Sequence, residues 1–491
     1  MKTASKAGKI AVNGDVHGYL FMRHIEGASR DQSLLLPPSI DEYVSEDHPV
    51  RVIDAFVDSL DVAELGFSKA LPRQTGRRPY HPGDLLKLFI YAYLNQTRST
   101  RRLEKECHRN LEVIWLMKQL KPDFKTIADF RKDNGHAIKR VCRQFVVFCK
   151  EAGLVSGDLV AVDGSKFKAA ASKDQALTRR QLREQVEQLD RRITTYLEHL
   201  SEVESSDEPE FEHEQVTKAL DYLRHHQHEL REQLNELEAE GRSQHCRTEP
   251  QARLMRSGRE GTVVGYNAQN AVDEQHQLII HHELTQHGAD NQLLAPMSHA
   301  SQQVLGQSLK TIVADTGYSN GQHIDDTQER GVEVAVPAKR SVNNKDSGQL
   351  FQKHEFTYRP EDDTYQCPAG KTLHYKTYSS KDRAYLYTRQ GCHRCPLQHR
   401  CTRSDQRWVS RHFEEHAFER SNLQATPTMM RRRQAVVEPP FGTLKRLLNQ
   451  GRFSVWGLSA ARAEYSLAVL SYNLIRVINV LGVRTLLAKL A

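Results

Sequence analysis

Two apolar runs, LVAVD (159–163) and TIVAD (311–315), each end on an aspartate that a glycine follows within two residues. A carboxylate at a strand end sits at the rim of a sheet, where a ligand can reach it. One Asp before a Gly does no more than start a turn. Two of them on neighbouring strands, Asp163 and Asp315, make an oxygen site suited to Mg²⁺ or Mn²⁺. A third carboxylate is expected from a helix, and Glu438 in RRRQAVVEPPFGTLKR is the candidate. The apolar Ala435-Val436-Val437 before it suggests that Glu438 faces inward. Lys445 follows seven residues later, about two helical turns on, so it shares that face. Pro439 and Pro440 mark a kink or a helix start. The segment thus offers an acid to hold a metal and a cation to hold a phosphate.

A second grouping is made of sulfur. Cys367, Cys392, Cys395 and Cys401 follow the pattern C-x24-C-x2-C-x5-C. Four soft ligands suit tetrahedral Zn²⁺, and the alternative is four reduced thiols in a β-rich insert. Cys107, Cys142, Cys149 and Cys246 lack such a grouping and read as packing residues. Eight cysteines in 491 residues are too few for a disulfide scaffold. A reducing, cytoplasmic setting is expected.

The elements that must position these residues alternate in type. His48 to Val155 reads as mostly helical, with apolar residues at three- and four-residue spacings and Pro82 with Asp84 as a helix start. LVAVD reads as a buried strand that stops at Asp163-Gly164. Residues 174–240 read as an antiparallel helical hairpin, either a partner-binding arm or a packing decoration. Strands are expected at 262–273 and 277–286, then a helix, the TIVAD strand, a helix and a strand at 333–338. This is a mixed α/β pattern whose first three strands run antiparallel. Residues 345–420 read as short strands and turns, and two helices follow from Arg431. The N-terminus lacks an apolar signal region, and no apolar run approaches the roughly 18 residues of a spanning helix.

Charge separates the same regions. The chain carries 69 Lys and Arg against 62 Asp and Glu, a net +7. Residues 174–240 hold 8 basic and 18 acidic residues, so the rest of the chain is at +17. Lys69 to Arg143 is at +11 and Ser421 to Ala491 at +8. Such density favours a phosphate-contacting surface and a polyanionic partner. Trp456, in basic GRFSVWG, is expected to be a buried helix-packing residue; the alternative is stacking on an extruded base.

In HPVRVID, GRRPYHPGDLLKLFIYAYLN and FKTIADFRKDN, then VDGSKFKAAASK, GYNAQNAVDEQHQLI, VADTGY and VEPPFGTLKR, the chain resembles bacterial insertion-sequence transposases with an Asp-Asp-Glu (DDE) triad. The resemblance implies an α/β, RNase H-like mixed sheet core (156–173, 241–344 and 421–491). Around it come an N-terminal arm (1–47), a helical DNA-binding domain (48–155), the acidic helical insert (174–240) and a Cys-containing β-rich insert (345–420). It implies Asp163, Asp315 and Glu438 as catalytic ligands of two Mg²⁺ or Mn²⁺ ions. DNA cleavage at element ends and strand transfer into target DNA follow. Lys166, Lys168, Lys445 and Arg446 become candidate DNA contacts. Related groups place an Arg four residues before the Glu; here Gln434 stands there, and Arg433 is the neighbouring candidate for a phosphate. The implied partners are the terminal inverted repeats, target DNA and a second copy of the chain. The competing readings are a metal-dependent nuclease without strand transfer and a non-catalytic, transposase-derived DNA-binding protein.

Overall fold

Each of the first two helices begins on a histidine that caps it and a proline that pre-sets its first turn. His48 Nδ1 accepts from the Val50 N–H ahead of α1 (Pro49–Asp58), and His81 Nδ1 from the Gly83 N–H ahead of α2 (Pro82–Leu94). α3 (Thr100–Arg109), α4 (Leu111–Leu116), α5 (Phe124–Asp133) and α6 (Gly135–Glu151) follow. The structure, a computed structural model, describes residues 39–71, 78–203, 210–258, 260–338 and 350–491. Residues 1–38 of the expected N-terminal arm lie outside the described residues.

Not all of the positive charge of the N-terminal region faces outward. Lys87 is fully buried, with its ammonium 2.6 Å from both Asp54 and Asp58. A buried ammonium needs such partners to offset its lost hydration. Arg131 is also buried, 5.6 Å over the Phe89 ring. These two cations join helices and are not available to a polyanion.

The central sheet starts with β1 (Leu159–Lys168). A short ribbon, β2 (Ala176–Thr178) with β3 (Gln244–Cys246), carries α7 (Arg179–Val203) and α8 (Glu210–Ala239) outward. Those two helices pack on each other through Leu182, Val186, Leu189, Leu220, Leu223 and Leu230, a cluster separate from the main core. β4 (Arg253–Ser257), β5 (Gly261–Asp273) and β6 (Ile279–Thr285) are followed by α9 (Leu294–Leu305), β7 (Thr311–Val313), α10 (Gly321–Glu329) and β8 (Glu333–Ala335).

β5 lies antiparallel to β1, from Val160↔Asp273 to Lys168↔Gly265, and both β4 and β6 pair antiparallel with β5. On the other side β7 runs parallel to β1, and β8 parallel to β7. β5 is buried without a break from Val263 to Asp273, as a strand covered on both faces must be.

A second sheet, with strands ordered 13-12-11-10-9, is antiparallel. It consists of β9 (Thr357–Arg359), β10 (Thr364–Gln366), β11 (Thr372–Ser379), β12 (Ala384–Thr388) and, after α11 (Gln398–Cys401), β13 (Trp408–His412). It has its own aromatic core around Phe351, Phe356, Tyr365 and Tyr387. α12 (Glu415–Gln424) returns the chain to the central sheet, where Ser421 Oγ accepts from the Val336 N–H and donates to the Val336 carbonyl.

The last helices are α13 (Pro427–Leu447), α14 (Leu458–Leu481) and α15 (Val483–Leu490). α14 is buried almost all round and packs on α2, α6 and β6. Its Asn473 side chain binds both the N–H and the carbonyl of Ile279, at the β5/β6 register shift. The helical N-terminal region and the central sheet therefore share one continuous apolar core. Among the described residues no single helix is long and apolar enough to cross a membrane.

Candidate active site

Asp163 lies inside β1, not at its end. The strand runs five residues further, to Lys168, and stays paired with β5 throughout. The turn expected at Asp163-Gly164 does not form, and Gly164 has a different purpose. A Cβ on it would lie 2.2 Å from Gln269 Nε2 and 2.8 Å from Asp290 Oδ1. Asp315 does close its strand: it caps the turn Thr316–Tyr318 by accepting from the Gly317 N–H at 2.8 Å. β1 and β7 are parallel with Ala161 beside Val313, so two residues on the two aspartates stand side by side.

Arg433, from α13, enters between them. Its guanidinium is 2.9 Å from Asp163 Oδ1 and 3.8 Å from Asp315 Oδ2. The side chain is buried, and its Nε has no partner. The residue read as a strand-holding phosphate contact is here the counter-ion of both aspartates. Burial pushes the Asp163 carboxyl up to about 6, although Arg433 and the Gly164 N–H pull it down; the charges of Asp315 and Asp290 add to the rise.

α13 begins at Pro427, where the Thr426 hydroxyl accepts from the Met429 N–H. Pro439 and Pro440 lie well inside it, not at its start. A proline cannot donate to the carbonyl four residues back. The carbonyl that Pro439 frees, that of Ala435, accepts instead from Gln277 Nε2 at 3.0 Å. Val436, Val437, Pro440, Phe441 and Leu444 form the buried face of the helix. Glu438 is exposed, so the inward orientation expected of it is not observed. Val436 and Val437 of the apolar triplet supply the core side, and Glu438, like Ala435, falls outside that stripe.

Glu438, Gly442, Lys445 and Arg446 share one flank of α13 at the i, i+4, i+7, i+8 spacing. Gly442, Lys445 and Arg446 line a groove of about 690 Å³ whose other wall is Gly164, Ser165, Lys166 and Lys168, with Asp290 and Arg256. Glu438 thus stands one turn along the same flank, toward the Arg433 end. Lys166 Nζ is 3.4 Å from Asp290, Lys168 pairs with Glu260, and the Lys445 ammonium lies 5.9 Å over the Phe167 ring. Among the described residues no three His, Cys, Asp or Glu side chains converge as a ready metal cage. The structure brings Asp163, Asp315 and Arg433 into contact; it places Glu438 on the flank that leads to them.

Residues 38–133 match a family model described as Transposase domain (DUF772), and residues 366–478 match one described as Transposase DDE domain. Both models that match the chain are of transposase domains, one in its N-terminal helical region and one toward its C-terminal end. No curated protein matches it significantly. A solved structure to which it is similar is a piggyBac transposase synaptic complex with hairpin DNA, at 8% identity. That match covers 88% of this chain and 74% of the other, with a TM-score of 0.33. The DDE-domain match spans Glu438 and the four grouped cysteines, while Asp163 and Asp315 lie upstream of it.

The four grouped cysteines line one cavity of about 430 Å³ beside the second sheet, walled also by Phe351, Phe356 and Leu373. All four are free thiols and half-buried. Burial pushes the Cys401 thiol up to about 11, and the other three cysteines add to that rise. Cys367 and Cys392 each open a tight turn: the Gly370 N–H donates to the Cys367 carbonyl, and the Cys395 N–H to that of Cys392. Trp456 is 56% exposed, contrary to the expected helix packing. Phe453 takes the buried place in that loop, against Phe167 and Tyr266.

Asp290 and Arg256 were not singled out by sequence. Asp290 sits in GADN ahead of a helix, where an Asp reads as a cap, and Arg256 is one of many basic residues.

The Asp163 carboxyl gives a pH prediction. It is raised from 3.8 to about 6, so the folded protein holds this proton more tightly than the unfolded chain does. Its contribution is fully present below about pH 4 and is lost as pH rises through about 6. In urea denaturation with a chelator present, Asp163→Asn is expected to flatten the loss of stability between pH 4 and 7 by roughly 2–3 kcal/mol. An unchanged pH profile would show that Asp163 is not a buried, titrating acid.

Proposed function

We propose that this chain is a DDE transposase that cuts DNA strands at element ends and joins them to target DNA, with Asp163, Asp315 and Glu438 holding two Mg²⁺ or Mn²⁺ ions. The observation that carries the reading is the pair of aspartates on adjacent parallel strands sharing one buried guanidinium. The strand order β6-β5-β1-β7-β8, antiparallel only on the β5 side, is the order an RNase H-like sheet would have and supports the same reading. The donor set fits hard cations. It is oxygen-only, its two acids already tolerate a cation between them, and the third lies on the flank of the groove.

When bound, the ions supply activation of a water or 3′-hydroxyl nucleophile and stabilisation of the leaving oxygen. The chain's own residues do the rest. Asp163 and Asp315 fix the cation position on a rigid sheet. Arg433, displaced from between them, has five donors and an unpartnered Nε with which to meet a phosphate. Lys166, Lys168, Lys445 and Arg446 line the groove along which the strand's phosphates are held. Two element ends handled together call for two copies of the chain in the active complex.

The test is cleavage and joining of labelled end-containing duplex in Mg²⁺. Asp163→Ala, Asp315→Ala and Glu438→Ala are each expected to lose more than about 100-fold in cutting rate, while DNA affinity stays near that of the unaltered chain. Near-normal cutting by any one of them would remove that residue from the triad. Cutting without joined product would make the protein a nuclease, and binding without cutting a DNA-binding descendant of a transposase.

For the cysteine cavity we propose a structural Zn²⁺ held by Cys367, Cys392, Cys395 and Cys401. Four sulfurs around one space, three of them in tight turns and Cys401 at the end of α11, support it. Metal analysis of purified protein is expected to find about one zinc per chain, lost on Cys392→Ser with Cys395→Ser. A small fraction of one zinc in the unaltered chain would remove the idea.

A further inference from the structure

The loop between β6 and α9 carries a carboxylate that the triad does not use. Asp290 Oδ1 accepts from Asn267 Nδ2 at 2.6 Å, from Gln269 Nε2 at 2.7 Å and from the Lys166 ammonium at 3.4 Å. Asn267 and Gln269 are alternate residues of β5, both fully buried, opposite Lys166 and Gly164 in the β1 register. Neither amide has water to turn to, so the acceptor they share is held in one place.

Two glycines make room for this carboxylate. A Cβ at Gly164, next to Asp163, would overlap Gln269 and crowd Asp290 Oδ1. At Gly317, a Cβ would lie 2.8 Å from Asp315 Oδ1 and 3.8 Å from Asp290 Oδ2. Asp290 therefore has one oxygen on the Lys166 side and the other toward the Asp315 turn. The same turn is tied to it from beneath: the buried Tyr318 hydroxyl donates to Gln269 Oε1, and Gln269 donates to Asp290. Asn267 Oδ1, buried and without a partner, would lie 3.1 Å from that same Gly164 Cβ. It is a spare acceptor on the ledge that supports Lys166.

We propose that Asp290 is a positioning residue for strand cleavage: it holds the Lys166 ammonium in the wall of the basic groove, where that ammonium meets a phosphate of the strand being cut. An ammonium has three donors. One goes to Asp290 and two remain for the strand. A fixed cation of this kind acts on the reacting geometry more than on affinity, because a lysine free to swing would still attract DNA. The proposal rests on the strand-cleavage reading above.

The experiment is single-turnover cutting and DNA binding by the full chain carrying Asp290→Asn, Lys166→Ala or both, in Mg²⁺. Asp290→Asn keeps an oxygen for Asn267 and Gln269 and removes only the charge that holds Lys166. Its melting temperature is expected to stay near that of the unaltered chain. Its cutting rate at saturating DNA is expected to fall about 10–100-fold, with affinity for DNA unchanged or tighter. Lys166→Ala is expected to lose a similar factor, and the double variant little more than either single one, since the two act as a unit. Unaltered cutting by Asp290→Asn, a loss confined to DNA affinity, or losses that multiply in the double variant would each overturn the assignment. The unaltered chain, run alongside, keeps the two readings apart: if it does not cut, the strand-cleavage reading fails, whereas cutting by both it and Asp290→Asn fails only this one.

Discussion

One buried guanidinium between two carboxylates organises the centre of this protein. Asp163 and Asp315 come from parallel strands, and Arg433 from a helix more than 100 residues later in the chain. Two acids this close in a partly dehydrated place repel each other unless a cation lies between them. Much of the architecture serves to put the three side by side. β7 must dock parallel to β1, which needs the α9 crossover, and α13 must lie against β1 with Arg433 at the level of Asp163. In the proposed function a divalent ion would take the place that this guanidinium holds between the two acids.

The surroundings are built so that this centre opens in one direction. On the core side, Phe441, Phe453 and Tyr465 each pack against Phe167 of β1. On the groove side, Gly442 leaves backbone bare while lysines and arginines line the walls. Glu438 lies on that open flank. Its exposure is what an acid needs if it is to meet a ligand arriving from solvent, whereas a fully buried position would have to be dehydrated first.

Much of this arrangement could be read from local pattern. The apolar run before Asp315 and the turn after it are short-range signals, and the structure has both. The antiparallel start of the sheet was also legible, because TVVGYNAQNAVD and QLIIHHELT are separated by only a few turn residues. Three features depended on partners far away in the chain. Asp163 looked like a strand end because Gly164 follows it, yet the reason for that glycine is Gln269 with the Asp290 it binds, both far along the chain. Pro439 and Pro440 looked like a helix boundary, but Gln277 satisfies the carbonyl that Pro439 frees and the helix continues. Lys87 looked like part of a DNA-facing surface, and it is sealed between α1 and α2 by two aspartates. In each case a local rule was overruled by a tertiary contact that no window of neighbouring residues contains.

The central claim is that Asp163, Asp315 and Glu438 gather around divalent ions. It is tested most directly by loading the metal-free protein with Fe²⁺ and adding ascorbate and peroxide, so that radicals formed at the bound ion cut the nearby backbone. Mass spectrometry then maps the cuts. Cuts clustered at residues near 163, 315 and 438, and suppressed by excess Mg²⁺, are the predicted result. Cuts that miss the Glu438 segment, or that Mg²⁺ does not suppress, would contradict it.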